Sequence, residues 1–202
     1  MIFFDSDDFV ETCWLEDFSL LKDYKYDILF CSMKIVKPNN IIRLVSCLDP
    51  YNDRKSKGIS IPGSWLVKKE VFMYSGMYDE RIKYGENTEL RFRFNEDQLK
   101  IGTIDKYNFV YHESEDGGSK NLQNKIDSNL YIIEKHSLYF KTNPYVLRFY
   151  YQNIGVAFLK LSSYKAARYF FWKAYKIKPF RFKTLVRFLI SFYPILAKKI
   201  IK

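Results

Sequence analysis

At 202 residues, 48% hydrophobic and 19% aromatic, the chain has the length and apolar content for one real core with a small appended domain, which excludes a disordered or low-complexity segment. Its net charge of +10 is unevenly spread: residues 121–202 carry 16 Lys/Arg against 2 Asp/Glu, and the first 120 carry 17 against 21, so an acidic part (−4) precedes a basic one (+14). No run of about 20 apolar residues or signal-peptide pattern opens the chain, and Cys13, Cys31 and Cys47, odd in number and without metal-ligand spacing, read as reduced cytosolic thiols.

In chain order, Ile2 to Phe4 reads as a short buried strand that delivers Asp5 and Asp7 to its carboxyl end. Residues i and i+2 of an extended segment point the same way, so both carboxylates can converge on one hard cation together with substrate phosphates. The competing assignment makes Asp7 or Asp8 the N-cap of the next helix. Val10, Trp14, Leu15, Phe18 and Leu21 have helical spacing, predicting an amphipathic helix over 9–22. Strands are predicted at 27–36 and 41–47, with turn and loop signals across 37–60. Residues 61–67 read as a loop, then a strand or short helix. Tyr84 to Leu90 opens a helix with acids in its first turn, where the helix dipole favours them. Residues 100–105 and 109–112 look like two short strands, followed by a polar Gly117-Gly118 loop. Alternating strands and helices argue α/β for this part.

Three segments follow Asp5-Ser6-Asp7-Asp8 in order: Gly63-Ser64-Trp65, Ser75-Gly76-Met77-Tyr78-Asp79-Glu80-Arg81 and Tyr84-Gly85-Glu86-Asn87-Thr88-Glu89-Leu90. The ordered set resembles the family-2 glycosyltransferases of the GT-A fold over roughly residues 1–120. The resemblance implies an incomplete GT-A (Rossmann-like) nucleotide-diphospho-sugar transferase domain. It also implies inverting transfer of a sugar from a nucleotide-sugar donor to a glycan or lipid-linked acceptor, in surface polysaccharide synthesis at the cytoplasmic membrane face. Under it, Asp5 and Asp7 hold Mg²⁺ or Mn²⁺ and the donor, Trp65 lines a sugar, and His112 is a third metal ligand. For Trp65 the alternative is a core tryptophan, and for His112 a structural hydrogen bonder. The family's Gly-Glu-Asp is here Gly85-Glu86-Asn87. An amide has no proton to trade, so the base falls to Glu86, with Glu89, i+3 on the same face, second. Solvated first-turn acids are the alternative for both. Acceptor choice is expected in the loops at 49–64 and at Gly117-Gly118.

The family begins with a strand-helix-strand unit that binds the nucleotide base, ahead of the Asp-rich strand. Here Met1 lies immediately before that strand, so a truncated or split enzyme is expected, with a protein partner supplying the missing half, and with weak or no transfer activity in this polypeptide alone.

The basic part is expected to be an all-α extension over 121–181. Within it, Tyr151, Ile154, Gly155, Phe158, Ala167, Phe171, Ala174 and Pro179 occupy the offsets of one tetratricopeptide-like hairpin at 148–181. A lone unit suits packing better than peptide capture. The tail, 182–202, is apolar with scattered lysines and interrupted by Pro194. It suits either an interfacial helix on anionic lipid or a helix covering the hairpin's open face. Basic residues interleaved with aromatics, and no nucleic-acid motif, argue against nucleic acid. The second function class is a catalytically inactive accessory subunit at the membrane surface.

Overall fold

The computed structural model of the chain describes residues 1–6, 8–21, 26–47, 61–96, 99–113, 121–179, 181–195 and 197. The fold is α/β with a mixed five-stranded sheet, and the chain divides into two compact units. The first comprises residues 1–79 and 86–117; the second comprises 80–85 and 118–202. The boundary therefore differs from the expected single cut at 120, because segment 80–85 belongs with the helices. There the Ser128 hydroxyl accepts the N–H groups of Lys83 (2.9 Å) and Tyr84 (3.1 Å), and the Arg81 guanidinium lies over the Tyr131 ring.

In the first unit, strand β1 (Phe9–Val10) pairs antiparallel with β5 (Ile101–His112), which runs parallel to β2 (Ile28–Val36). The other edge of β2 carries β3 (Ile42–Val45) along its second half and β4 (Trp65–Val67) along its first, both antiparallel. Both faces of the sheet are covered, which explains the continuous run Ile28-Leu29-Phe30-Cys31. Leu29, Cys31, Met33 and Ile35 pack with Trp14, Phe18 and Phe109. Ile28 and Phe30 pack on the opposite face with Trp65, Phe72, Leu90 and Phe94. The last three come from helices α2 (Lys69–Tyr74) and α3 (Glu86–Glu96).

Two expected elements take other forms. The helix over 9–22 is replaced by β1, a short helix α1 (Trp14–Asp17) and a 3₁₀ turn, Phe18–Leu21. Trp14 and Phe18 keep their helical spacing and are buried, but Phe9 and Val10 instead give β5 an edge partner. The two short strands at 100–112 are one strand, β5, in which Asp105 to Asn108 bulge opposite the single residue Ser32. The bulge is tied down at both ends. Buried Ser32 donates from Oγ to Asp105 Oδ1 at 2.9 Å, and Asp17 takes the Lys106 ammonium and the Asn108 amide. Cys47 donates its backbone N–H to Ser32 Oγ at 3.0 Å. The three cysteines are free, and burial beside Cys47 pushes the Cys31 thiol up to about 12, so it is an inert core group.

The segment before β1 is not a ladder strand, but it is extended in its side-chain pattern. Met1 and Val67 exchange backbone hydrogen bonds, with Val67 N–H to Met1 O at 3.0 Å. Ile2 and Phe4 then face the Trp14–Phe109 side of the sheet, whereas Phe3 faces Trp65, Phe72 and Tyr78. That alternation puts Asp5 on the Phe3 side, toward the start of α3.

The second unit carries helices α4 (Leu122–Lys135), α5 (Ser137–Thr142), α6 (Pro144–Lys160), α7 (Tyr164–Ile177) and α8 (Phe182–Ile190). Asn121 caps α4 by accepting the Asn124 N–H, and Pro144 starts α6 where its missing N–H is not needed. Helices α6 and α7 form a hairpin whose close approach depends on small residues. Ala157, Ala167 and Ala174 are fully buried, and Phe158 stacks on Phe170. A Cβ on Gly155 would lie 2.7 Å from the buried Phe171 ring. Gly155→Ala is therefore expected to destabilise the protein by about 1 kcal/mol, up to ~2. The overpacking penalty of about 1–3 kcal/mol exceeds the ~1 kcal/mol gain in helix propensity. A urea titration checks this, and an unchanged or raised midpoint would refute it.

The tail covers the hairpin. Thr184 is fully buried, Phe188 and Ile190 pack on Leu159, Ala167 and Phe171, and Arg168 donates to the Ser191 carbonyl at 2.9 Å with its guanidinium over Phe192. Among the described residues, no helix is long and apolar enough to cross a membrane.

Candidate functional site

The N-terminal turn of α3 and the extended segment before β1 meet in the first unit. Gly85, at φ +77°, precedes the helix, and Glu86 and Glu89 occupy its first turn. Tyr78 donates its hydroxyl to Asn87 Oδ1 at 2.7 Å, and Asn87 Nδ2 donates to Glu86 Oε1 at 3.2 Å. Burial, then the charges of Glu86 and Asp5, hold the Tyr78 phenol well above its usual pKa. Asp5, Tyr78, Asn87 and Glu86 thus form one cluster. Asn87 is 7% exposed and acts as a relay that accepts from one neighbour and donates to the other. A carboxylate at 87 would lack the donor and would crowd a further negative charge beside Glu86.

Tyr78 gives the site a pH signature. Its folded pKa lies above the unfolded value of ~10, so the folded form holds the proton more tightly. The resulting stability is complete below pH ~10 and is lost as pH rises from there toward the folded pKa. Tyr78→Phe is expected to lose about 1 kcal/mol at pH 8 from the missing hydrogen bond. It is also expected to lose less further stability than wild type between pH 9 and ~11. Equal alkaline slopes in urea titrations of the two proteins would refute the assignment.

The remaining expected site residues are dispersed. Glu89 is fully buried and pairs with Arg93, whose Nη2 lies at 2.8 Å and Nε at 3.2 Å from Oε2. That places Glu89 in the wall of the domain rather than at its surface. Trp65 is 3% exposed, with its ring packed among Phe3, Phe30 and Phe94, the core position rather than the sugar-facing one. Asp8 caps no helix. It is buried, and its Oδ1 accepts the backbone N–H of His112 at 3.2 Å across the β1–β5 pair. Asp8 N–H in turn donates to Asp5 O at 3.2 Å. The His112 ring stands edge-on to Phe9. Asp7, residues 48–60 and Gly117-Gly118 lie outside the described residues.

Among the described residues, no group of three or more His, Cys, Asp or Glu is placed to hold a metal ion. Asp5 and Glu86 both place negative charge near the Tyr78 hydroxyl. Tyr78 and the relay through Asn87 were not assigned from sequence. The available signal was the aromatic residue in Ser75-Gly76-Met77-Tyr78, nine residues before Asn87. No protein-family model matches the chain, and the search of curated proteins found no match.

Proposed function

We propose that the chain transfers a sugar from a nucleotide-diphosphate donor to a hydroxyl of a glycan or lipid-linked acceptor, in the manner of a GT-A glycosyltransferase with a helical extension. The observation that carries the reading is the gathering of Asp5, Tyr78, Asn87 and Glu86 at the N-terminus of α3. The Asn87 amide engages Glu86 Oε1 and orients the carboxylate, leaving Oε2 for the proton of the acceptor hydroxyl. The acceptor oxygen then displaces the nucleotide diphosphate from the sugar carbon with inversion. A bound Mg²⁺ or Mn²⁺ would take Asp5 and Asp7 and offset the charge of the leaving diphosphate. The positive end of α3 favours the same anion. This reading places the protein on the cytoplasmic side, peripheral to the membrane.

Two measurements test it. Calorimetric titration with a nucleoside diphosphate should show binding that needs Mg²⁺ or Mn²⁺ and is lost in Asp5→Asn. In an assay with turnover, Glu86→Gln should lower kcat by about 10²–10⁴-fold. No metal-dependent nucleotide binding, or unchanged turnover in Glu86→Gln, would favour the second reading. In that reading the chain is an accessory subunit, supported by a hairpin that buries its small residues against itself.

A further inference from the structure

Arg148 on α6 is 7% exposed, and its Nε and Nη1 have no hydrogen-bond partner. A guanidinium has five N–H donors and a permanent charge, so burying it without an acceptor is strongly unfavourable. Among its electrostatic neighbours Arg181 adds positive charge, and Tyr145 offsets part of it. One turn further along α6, Gln152 donates to the buried hydroxyl of Thr184 in α8. Positions 148 and 152 share a helix face, and so do 181 and 184 at the start of α8. This bond holds the start of α8 against the same face of α6 as Arg148, and Arg181, the N-cap residue of α8, acts on Arg148 through its charge. Burial first, then the charge of Arg181, weakens the hold of Arg148 on its proton.

A third cation stands close by. The Lys178 ammonium lies 5.3 Å from the ring centroid of Tyr145, three residues before Arg148 on α6. The only two acids of residues 121–202, Asp127 and Glu134, are both exposed on α4. The first-turn N–H groups of α8 add the positive end of a helix dipole.

We propose that Arg148, Arg181 and the first turn of α8 form a binding site for a phosphoryl group. A doubly charged tetrahedral anion offers oxygens to both guanidinium forks, and it matches several cations better than a single carboxylate does. The site lies wholly within the helical unit and does not depend on the transferase reading. The phosphoryl group belongs either to a soluble phosphate ester or to a lipid headgroup. Phe182, next to Arg181 and 77% exposed, makes the second source worth an arm of the test.

The full-length chain is melted in inorganic phosphate and in chloride of equal ionic strength, and sedimented with phosphatidylcholine vesicles with and without phosphatidic acid. Phosphate is expected to raise the wild-type melting temperature saturably, by about 5 °C or more at about 100-fold excess over Kd. Arg148→Met and Arg181→Gln should each abolish the rise. In phosphate-free buffer Arg148→Met should melt at or above the wild-type temperature, because an uncompensated charge has gone; a purely structural arginine would lower it. Arg181 is exposed, so Arg181→Gln decides the matter if Arg148→Met does not fold. Vesicle binding that needs phosphatidic acid and Arg181 identifies a lipid headgroup, and a phosphate response without vesicle binding identifies a soluble ester. The proposal is overturned if neither phosphate nor acidic vesicles act on the wild type, or if Arg181→Gln responds as the wild type does.

Discussion

Arg93→Met is expected to destabilise the protein by about 3–5 kcal/mol at neutral pH, the cost of breaking a buried ion pair from one side. Arg93 reaches Glu89, which has no exposed surface, and also donates to the backbone carbonyls of Ser75 and Met77. It thereby locks α3 to the turn that follows α2. The substitution removes the cation from a buried carboxylate and the donor from two carbonyls at once. Taking up a proton relieves such a carboxylate, so the deficit should shrink as pH falls toward ~4. Replacing both partners by apolar residues, Glu89→Leu with Arg93→Met, should recover part of the loss, because no buried charge remains. Urea titrations of the single and double variants at pH 7 and pH ~4.5 provide the check. A single variant within 1 kcal/mol of wild type at neutral pH would show that the pair contributes little.

Gly63→Ala is expected to cost about 2–5 kcal/mol through two separable effects. Ile61, Pro62, Gly63 and Ser64 form a turn closed by Ser64 N–H to Ile61 O at 3.0 Å, with Gly63 at φ +85°. Proline second and a positive-φ glycine third is the type II pattern. A side chain there pays about 1–2 kcal/mol for the left-handed backbone. Its Cβ would also lie 2.4 Å from the ring of Phe109, which is fully buried, and overpacking of that kind costs about 1–3 kcal/mol. Gly63→Asn separates the two, since asparagine tolerates positive φ but keeps the Cβ. If Asn is as harmful as Ala, the contact with Phe109 dominates. If Asn is markedly better, the backbone does. A Gly63→Ala protein as stable as wild type would remove this turn from the account of how β4 is placed.

The elements that could be read from the sequence were those whose local pattern and tertiary role agree. Ile28 to Cys31 is apolar at every position because both faces of β2 are covered. Gly155 and the buried alanines mark the α6–α7 contact because close helix approach leaves room for nothing larger. At the candidate site, acids at the start of α3 and an Asp-rich stretch after an apolar run were both visible, since both are local patterns.

Other features depended on partners distant in sequence. Val10 fits a helical pattern, yet Phe9 and Val10 pair with β5 because that strand has an edge to satisfy. Two apparent strands are one because Ser32 and Asp17 pin the bulge between them. Glu86 and Glu89 are equivalent by spacing, and only Arg93 and the packing of α3 place one in the wall and leave the other beside Tyr78. The pairing of Arg148 with Arg181 has no sequence signature, since it follows from how α8 docks on α6 through Gln152 and Thr184. The amino-acid pattern alone determined an α/β part with acids ahead of α3 and a basic helical part, because period and composition are local. Which of those charged groups are buried, paired or left facing one another was decided by tertiary packing, because desolvation and charge pairing depend on neighbours that sequence spacing does not specify.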